Sequence, residues 1–438
     1  MEWWIALTGL VGGLLFLLAL GLPVAIAFFL LNIVGALLFL GGDAGLIQLV
    51  RNSTVSVTNF VLVPIPLFLL MGEILFRTGL ASRAIDAVDQ LISKVPGRLS
   101  IVAIFGGSVF ASLSGSSMAN TAMLGSTLLP EMKQRGYHPT MSMGPIMGTG
   151  GIAVLIPPSG LAVLLGSLGQ ISIGDLLIAG ILPGALITAM YVAYVIARCW
   201  MNPALAPPYA VQPAQGWARW RPFLLHVVPL LGIFVCVIGS MLAGIATPTE
   251  SAALGAFASI FAAACYRRLT VAALKTALLS TAKITAMIFF IVAASLTFSQ
   301  ILAFSGATSG FLQLINGFDA SPMTLLILML VIALVLGSFM DPISVMMIVL
   351  PFFMPLVRSL GFDLVWFGVL LLVVLEVGFL TPPVGMLLFV MKGVAPPDTR
   401  MGDIIRAALP FVVLQLLAVA IIILWPGIAT ILPALSRG

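Results

Sequence analysis

The sequence predicts an all-α polytopic membrane protein built from two inverted repeats, with about ten membrane spans and two re-entrant helical hairpins. Three observations carry that reading: the composition, a pair of long apolar segments kinked in the middle, and an internal register at an offset of 225 residues. Of 438 residues, 61% are hydrophobic and 8% are charged, with a mean hydropathy of +1.23. A soluble domain carries roughly 25% charged residues, so a water-soluble fold is excluded. Since about 20 apolar residues cross a bilayer, the length is used up by crossings and loops, with no separate catalytic or nucleotide-binding module expected. The net charge of +5 belongs to cytoplasmic loops of a membrane protein and does not point to nucleic acid.

Apolar stretches bounded by charge, Gly or Pro predict spans near 3–20, 24–40, 58–76, 139–168, 176–197, 223–243, 251–266, 284–304, 362–391 and 408–430. The first begins at Trp3-Trp4, an interfacial anchor; the basic region and cleavage site of a signal peptide are not seen there. Stretches 100–136 and 322–358 are too long for one crossing. Each holds a polar, Gly-containing kink, Ser114 to Asn120 in the first and Gly337 to Pro342 in the second. A re-entrant hairpin fits, because non-helical backbone inside a membrane needs a protein-lined or wet cavity. With both ends of the first hairpin inside and both ends of the second outside, all 19 basic residues but Arg51, Arg358 and Arg437 fall in cytoplasmic loops, as the positive-inside rule requires. Stretches 45–57 and 268–282 carry polar residues at mixed spacing and are expected as interfacial arms.

Residues 113–160 align without a gap on 338–385. Identity falls at six positions, and five are helix breakers: Pro130 with Pro355, Gly136 with Gly361, Pro157-Pro158 with Pro382-Pro383, and Gly160 with Gly385. An odd number of crossings per half turns the second copy upside down. The halves are expected at 1–198 (broken helix 139–168) and 223–438 (broken helix 362–391), joined by a proline-rich cytoplasmic linker at 199–222.

Inverted repeats with paired interrupted helices point to a secondary transporter whose site lies at the repeat interface. Gly150-Gly151 to Pro157-Pro158, and Gly378 to Pro382-Pro383, should unwind their helices, since Pro lacks an N–H and Gly tolerates unusual dihedrals. Freed carbonyls, with the hydroxyls of Ser114, Ser116, Ser117 and Thr381, suit a hard cation such as Na⁺, while helix N-termini suit an anion. One such motif alone would be a kink or a small-residue packing seam; four in two-fold register argue for a site. Among acids, Asp341 and Glu376 fall within apolar segments, Glu73 and Glu250 nearer the interfaces. Asp341 is read either as a cation ligand or as a cap at the Asp-Pro corner, and Glu376 as part of a proton or polar network or as a partner of a loop base. His138 and His226 are expected at the interfaces, and Cys199, Cys236 and Cys265 lack metal-binding spacing. Enzyme activity and transition-metal binding are therefore not expected.

At Ser114 to Pro130 with Glu131-Met132 and Arg135-Gly136-Tyr137, Gly148 to Gly160, Thr247 to Ala253, Asp341 to Pro355, and Gly378 to Gly385 with Phe389-Val390, the chain resembles the large (DctM-like) membrane subunit of tripartite ATP-independent periplasmic (TRAP) transporters. The resemblance covers essentially the whole chain. It implies an elevator-type transporter of the bacterial inner membrane, driven by Na⁺ as coupling ion, taking up an organic anion, commonly a carboxylate, with no organic cofactor. It also implies a small four-helix membrane subunit and a periplasmic substrate-binding protein as partners. A stand-alone sodium- or proton-coupled carboxylate or ion transporter of the related elevator superfamily is the alternative. By matching position, ion and substrate binding would fall to Ser114, Ser116, Ser117, Asn120, Gly150, Gly151 and Pro157 on one side, and to Gly337, Met340, Asp341, Gly378, Thr381 and Pro382 on the other. Leu387 stands where Asn often follows the Pro-Pro-x-Gly turn, and Leu164-Leu165 where Tyr is frequent.

Overall fold

The computed structural model describes residues 2–91, 95–114, 116–207, 217–317 and 320–437, and these are helical apart from turns and breaks. The first half carries α1 (Trp3–Ala19), α2 (Val24–Phe39), α3 (Asp43–Val57), α4 (Pro64–Arg77), α5 (Leu80–Leu91), α6 (Arg98–Ser114), α7 (Ser117–Gln134), α8 (Pro139–Ala153), α9 (Gly160–Gly169), α10 (Ile173–Ala179) and α11 (Ile181–Met201). The second carries α12 (Trp217–His226), α13 (Val228–Leu242), α14 (Pro248–Cys265), α15 (Val271–Phe304), α16 (Ala307–Asn316), α17 (Pro322–Gly337), α18 (Pro342–Ser359), α19 (Leu364–Leu380), α20 (Met386–Val394), α21 (Met401–Leu424) and α22 (Gly427–Arg437). Among the described residues, six helical stretches of at least 18 residues are apolar enough to cross a membrane, and further apolar helices are 10–17 residues long.

The 225-residue register extends to element boundaries. Helices α7 and α18 match at both ends, α8 and α19 at their starts, and Gly136 and Gly361 both adopt positive φ (77° and 74°). The Pro157-Pro158 and Pro382-Pro383 bonds are both cis.

One element departs from the expected pattern. Stretch 268–282 is not a separate arm: from Val271 it runs unbroken into the following crossing as the 34-residue helix α15. The first copy breaks at the equivalent place because Asn59 caps a short turn and Pro64 starts a new helix. Their register mates are Ile284 and Phe289, which neither cap nor break. His226 is the last residue of α12, within the apolar stretch Trp220–Leu242, and Pro229 lies in the first turn of α13.

Contacts gather into two compact units, each drawing on both halves of the chain. One comprises 1–63, 282–332 and 343–364. Here α2 lies on α15 through an edge-to-face pair, Phe28 and Phe298 (centroids 4.8 Å apart), and the buried Asn32 amide donates to the Ala294 carbonyl at 2.7 Å. Arm helix α3 is tied to α15 by Asn52 Nδ2 donating to Gln300 Oε1 at 2.6 Å.

The other unit comprises 64–281, 333–342 and 365–438. Its centre is α8, buried from Met141 to Ala153 and packed against α6, α7 and α21, and α19, buried from Val365 to Leu380. The first hairpin, the second kink and both broken helices all fall in this unit.

Candidate functional site

Each break has a local cause. Helix α8 stops at Ala153, and α9 restarts at Gly160 once Ser159 Oγ accepts from the Ala162 amide at 3.2 Å. In the first hairpin, Ser116 does the same for α7, accepting from the Ala119 amide at 3.2 Å. The Ser114 side chain and Gly115 lie outside the described residues. These caps satisfy the orphan amides of a helix start, so the chain can interrupt a helix without leaving donors unpaired.

Ser117, Asn120, Thr149, Gly150, Gly151 and Glu376 meet in a buried cluster. Ser117 Oγ donates to Glu376 Oε1 at 2.9 Å and lies 3.3 Å from the Gly150 carbonyl. Asn120 Nδ2 donates to Thr149 Oγ1 at 2.8 Å, and that hydroxyl donates to the Ile146 carbonyl at 2.8 Å. On the other side of α8, Gln415 Nε2 donates to the Tyr191 hydroxyl at 2.6 Å and approaches the Gly148 carbonyl at 3.4 Å. The Gln415 amide sits where a methyl on Gly151 would have to go. A polar shell thus grips the unwinding end of α8 from two directions.

Backbone hydrogen bonds tie the second break to the second kink. The Ser338 carbonyl, in the kink, accepts from the amides of Val384 (3.2 Å) and Gly385 (3.0 Å). Gly337 and Gly378 touch through their Cα atoms: a Cβ on Gly378 would stand 2.8 Å from the Gly337 Cα. The amides that follow Pro382-Pro383 therefore find their acceptor in the kink. Thr381 hydrogen-bonds its own helix at the Val377 carbonyl (2.5 Å). Thr381, Pro382, Met340 and Asp341 are half-buried, whereas Pro157, Gly337 and Gly378 are buried. Leu387 lies against Gly150, 3.3 Å from where its Cβ would be, so the two break regions adjoin.

Four buried polar oxygens around the first break have no hydrogen-bond partner: Asn120 Oδ1, Thr121 Oγ1, Glu376 Oε2 and Gln415 Oε1. Each belongs to a residue at most 3% exposed. Buried acceptors are normally satisfied, and an unsatisfied group costs about 1–3 kcal/mol. Neutral oxygens and a carboxylate are the atom types a hard cation takes, so by type the residues suit Na⁺; Asn120, Thr121 and Glu376 bring theirs from α7 and α19, and Gln415 brings its own from the other side of α8. Of the acids nearer the helix ends, Glu73 pairs with Arg77 at 3.0 Å and Glu250 closes a capping box with Thr247.

Thr121, Thr149, Tyr191, Ser338 and Gln415 were not among the expected site residues. Ser338 falls in the second kink, and Thr121 and Thr149 in stretches already singled out, while Gln415 stands out as the lone polar side chain between Ala407 and Leu424 on α21.

The chain matches the family described as "Tripartite ATP-independent periplasmic transporter, DctM component" over residues 11–428. It belongs to that family. Relatives include the C4-dicarboxylate TRAP transporter large permease protein DctM of Pseudomonas aeruginosa, 32% identical over 86% of both chains. The 2,3-diketo-L-gulonate large permease YiaN of Escherichia coli K12 is 33% identical over 92% of both. The ectoine large permease TeaC of Halomonas elongata is 31% identical over 98% of this chain and 99% of its own. In three dimensions the chain is similar to the Alcanivorax borkumensis YdaH transporter (TM-score 0.66, 16% identity, 93% of this chain and 98% of the other). It is also similar to Neisseria gonorrhoeae MtrF (TM-score 0.63, 15% identity, 92% and 95%). The DctM family member is thus a multi-pass transporter subunit of the bacterial inner membrane and not an enzyme.

Proposed function

We propose that this chain is the permease through which a sodium gradient drives uptake of an organic anion, a carboxylate in the simplest case. In this reading a periplasmic binding protein delivers the cargo, a small four-helix membrane subunit completes the complex, and the transport movement is of the elevator type. The observation that carries the sodium reading is the set of four unpartnered buried oxygens beside the first break, on Asn120, Thr121, Glu376 and Gln415. The carboxylate reading is supported by relatives named for C4-dicarboxylate and 2,3-diketo-L-gulonate, and the partners by the tripartite family itself.

The mechanism follows from the chain's own groups. The carboxylate of Glu376 and the neutral oxygens around it lower the cost of bringing a cation into a low-dielectric site, while Ser117 and the Gly150 carbonyl orient toward it. Because the unpartnered oxygens come from α7, α19 and α21, cation binding there would couple the first hairpin to the second broken helix.

Proteoliposomes holding this chain and its small subunit test the reading. Uptake should appear only with binding protein, carboxylate cargo and an inward sodium gradient together. Uptake by the chain alone, or equal uptake without sodium, would overturn it.

A further inference from the structure

Helix α20 is nine residues long and hangs between the Pro382-Pro383 break and the loop 395–400. One of its faces, Leu387, Met391 and Val394, is turned inward: Leu387 lies against Gly150 of α8, and Met391 and Val394 lie against Gly125 of α7. A Cβ on Gly125 would stand 2.5 Å from Val394 Cγ2 and 3.6 Å from its Cβ, so only glycine lets the two helices close. The opposite face of α20, with Met386, Phe389 and Gly393, is exposed. At the outer end of this seam Lys133 Nζ, on α7, donates to both carboxylate oxygens of Asp398, at 2.9 and 2.8 Å, and both side chains are well exposed. At the inner end lie Ser117 and Glu376. Between the ends, the hydroxyls of Ser126 and Thr127 turn back to the Met123 carbonyl of their own helix.

We propose that the seam between α7 and α20 is the cytoplasmic exit of the ion site, opened when α20 swings about Gly385 and latched shut by Lys133 and Asp398. The inference rests on the sodium-coupled reading above. The unpartnered oxygens belong to residues at most 3% exposed, so an ion among them leaves only where helices part. The two arms of the first hairpin are fastened differently. At the base of α6 the buried Arg98 guanidinium grips Asp89 through Nε (2.9 Å) and Nη2 (2.7 Å), and Ser100 Oγ donates to the Met141 carbonyl of α8. Parting α6 would strand those buried groups. At the base of α7 the seam is closed by an exposed ion pair, which water and salt replace at little cost. Gly385 adopts φ = 55°, a region that glycine enters freely, and α20 is exposed along one face, so its swing dismantles no core. The side follows from charge, since Lys133, Lys392 and Arg400 belong to the loops that the positive-inside rule assigns to the cytoplasm. Opening uncovers Ser117 and Gly150 from that side while the Val384 and Gly385 amides stay on the Ser338 carbonyl.

The test uses the full-length chain in proteoliposomes with its small subunit, binding protein and carboxylate cargo. Gly125→Cys with Val394→Cys places the two Cβ atoms 3.6 Å apart, within the range a disulfide accepts. Reduced, the pair should take up cargo at near the parental rate. Oxidised, with the cross-link verified by mass spectrometry, uptake should fall to a small fraction of the reduced rate and return with dithiothreitol, while Gly125→Cys alone stays insensitive to the oxidant. Should the pair not fold or not cross-link, maleimide labelling of Met391→Cys, a buried position in the seam, reads the opening. In a Lys133→Gln or Asp398→Asn background the label should enter roughly two- to fivefold faster, and the two changes together should add little beyond either. Undiminished uptake by the cross-linked pair, or a labelling rate unmoved by loss of the ion pair, would overturn the proposal. Uptake by the reduced pair with and without sodium reports on the coupling itself, apart from the seam.

Discussion

Ser117 and Glu376, 259 residues apart in the chain, share a buried hydrogen bond of 2.9 Å between the first hairpin and the second broken helix. The register mate of Glu376 is Gly151, at the neighbouring turn of α8, so one copy supplies the space and the other the charge. Ser117→Ala leaves both oxygens of a buried carboxylate without a partner and should cost about 1.5–3 kcal/mol of stability. Glu376→Gln keeps an acceptor for Ser117 and should stay near parental stability while weakening the sodium dependence of uptake. Detergent unfolding and sodium titration of transport read the two effects separately; an unaltered Ser117→Ala protein would mean the bond carries nothing.

Gly151 is required by the Gln415 amide packed against it. Gly151→Ala should destabilise the protein by about 1–3 kcal/mol through overpacking. Adding Gln415→Ala removes the obstructing amide, so the double variant should be less destabilised than the two single effects added together. Strict additivity in thermal unfolding would show that the clash is relieved elsewhere.

Asp341 stands one residue before α18 as Ser116 stands one residue before α7, at the 225-residue offset. Ser116 caps its helix. If Asp341 acts the same way, Asp341→Asn should be silent and Asp341→Ala should cost about 1 kcal/mol. A cation role instead predicts that Asp341→Asn raises the sodium needed for half-maximal uptake with no loss of stability. Measuring both quantities on both variants separates the roles.

Arg267 adopts φ = 53° after α14, and its register mate Gly42 adopts φ = 68°. A side chain in the left-handed region costs about 1–2 kcal/mol. Arg267→Gly should therefore raise stability by roughly 1 kcal/mol, whereas Gly42→Arg should lower it. An Arg267→Gly melting temperature at or below the parent's would count against the assignment.

Burial lifts the carboxyl groups of Asp86 and Asp89 on α5 above the ordinary value of 3.8, aided by Glu131, despite the opposing pull of His226 on Asp86 and of Arg98 and Arg135 on Asp89. A raised folded-state value favours the protonated form. The stability it contributes is present below pH 3.8 and is lost as pH rises through the folded-state values. Thermal stability should fall over that interval, and Asp86→Asn with Asp89→Asn should flatten the slope. An unchanged slope would mean other groups set it.

The sequence by itself determined the membrane class, the helix interruptions between α6 and α7 and between α17 and α18, and the two proline breaks; the expected kink at 114–120 is shorter than its sequence, since Ser117 to Asn120 are already helical. Hydropathy and the missing N–H of proline are properties of a few neighbouring residues, and the 225-residue register shows them twice. Even the fused helix α15 follows from local chemistry once the copies are compared, because Ile284 and Phe289 replace Asn59 and Pro64. Tertiary structure alone decided which polar groups meet. Nothing local to Ser117 indicates Glu376, and nothing local to Gly151 indicates Gln415 or Tyr191. Those contacts arise where α7 and α21 pack on α8 and α19 meets α7, and which side chain fills the space left by a glycine is set by the facing helix, whose position depends on the packing of the whole unit.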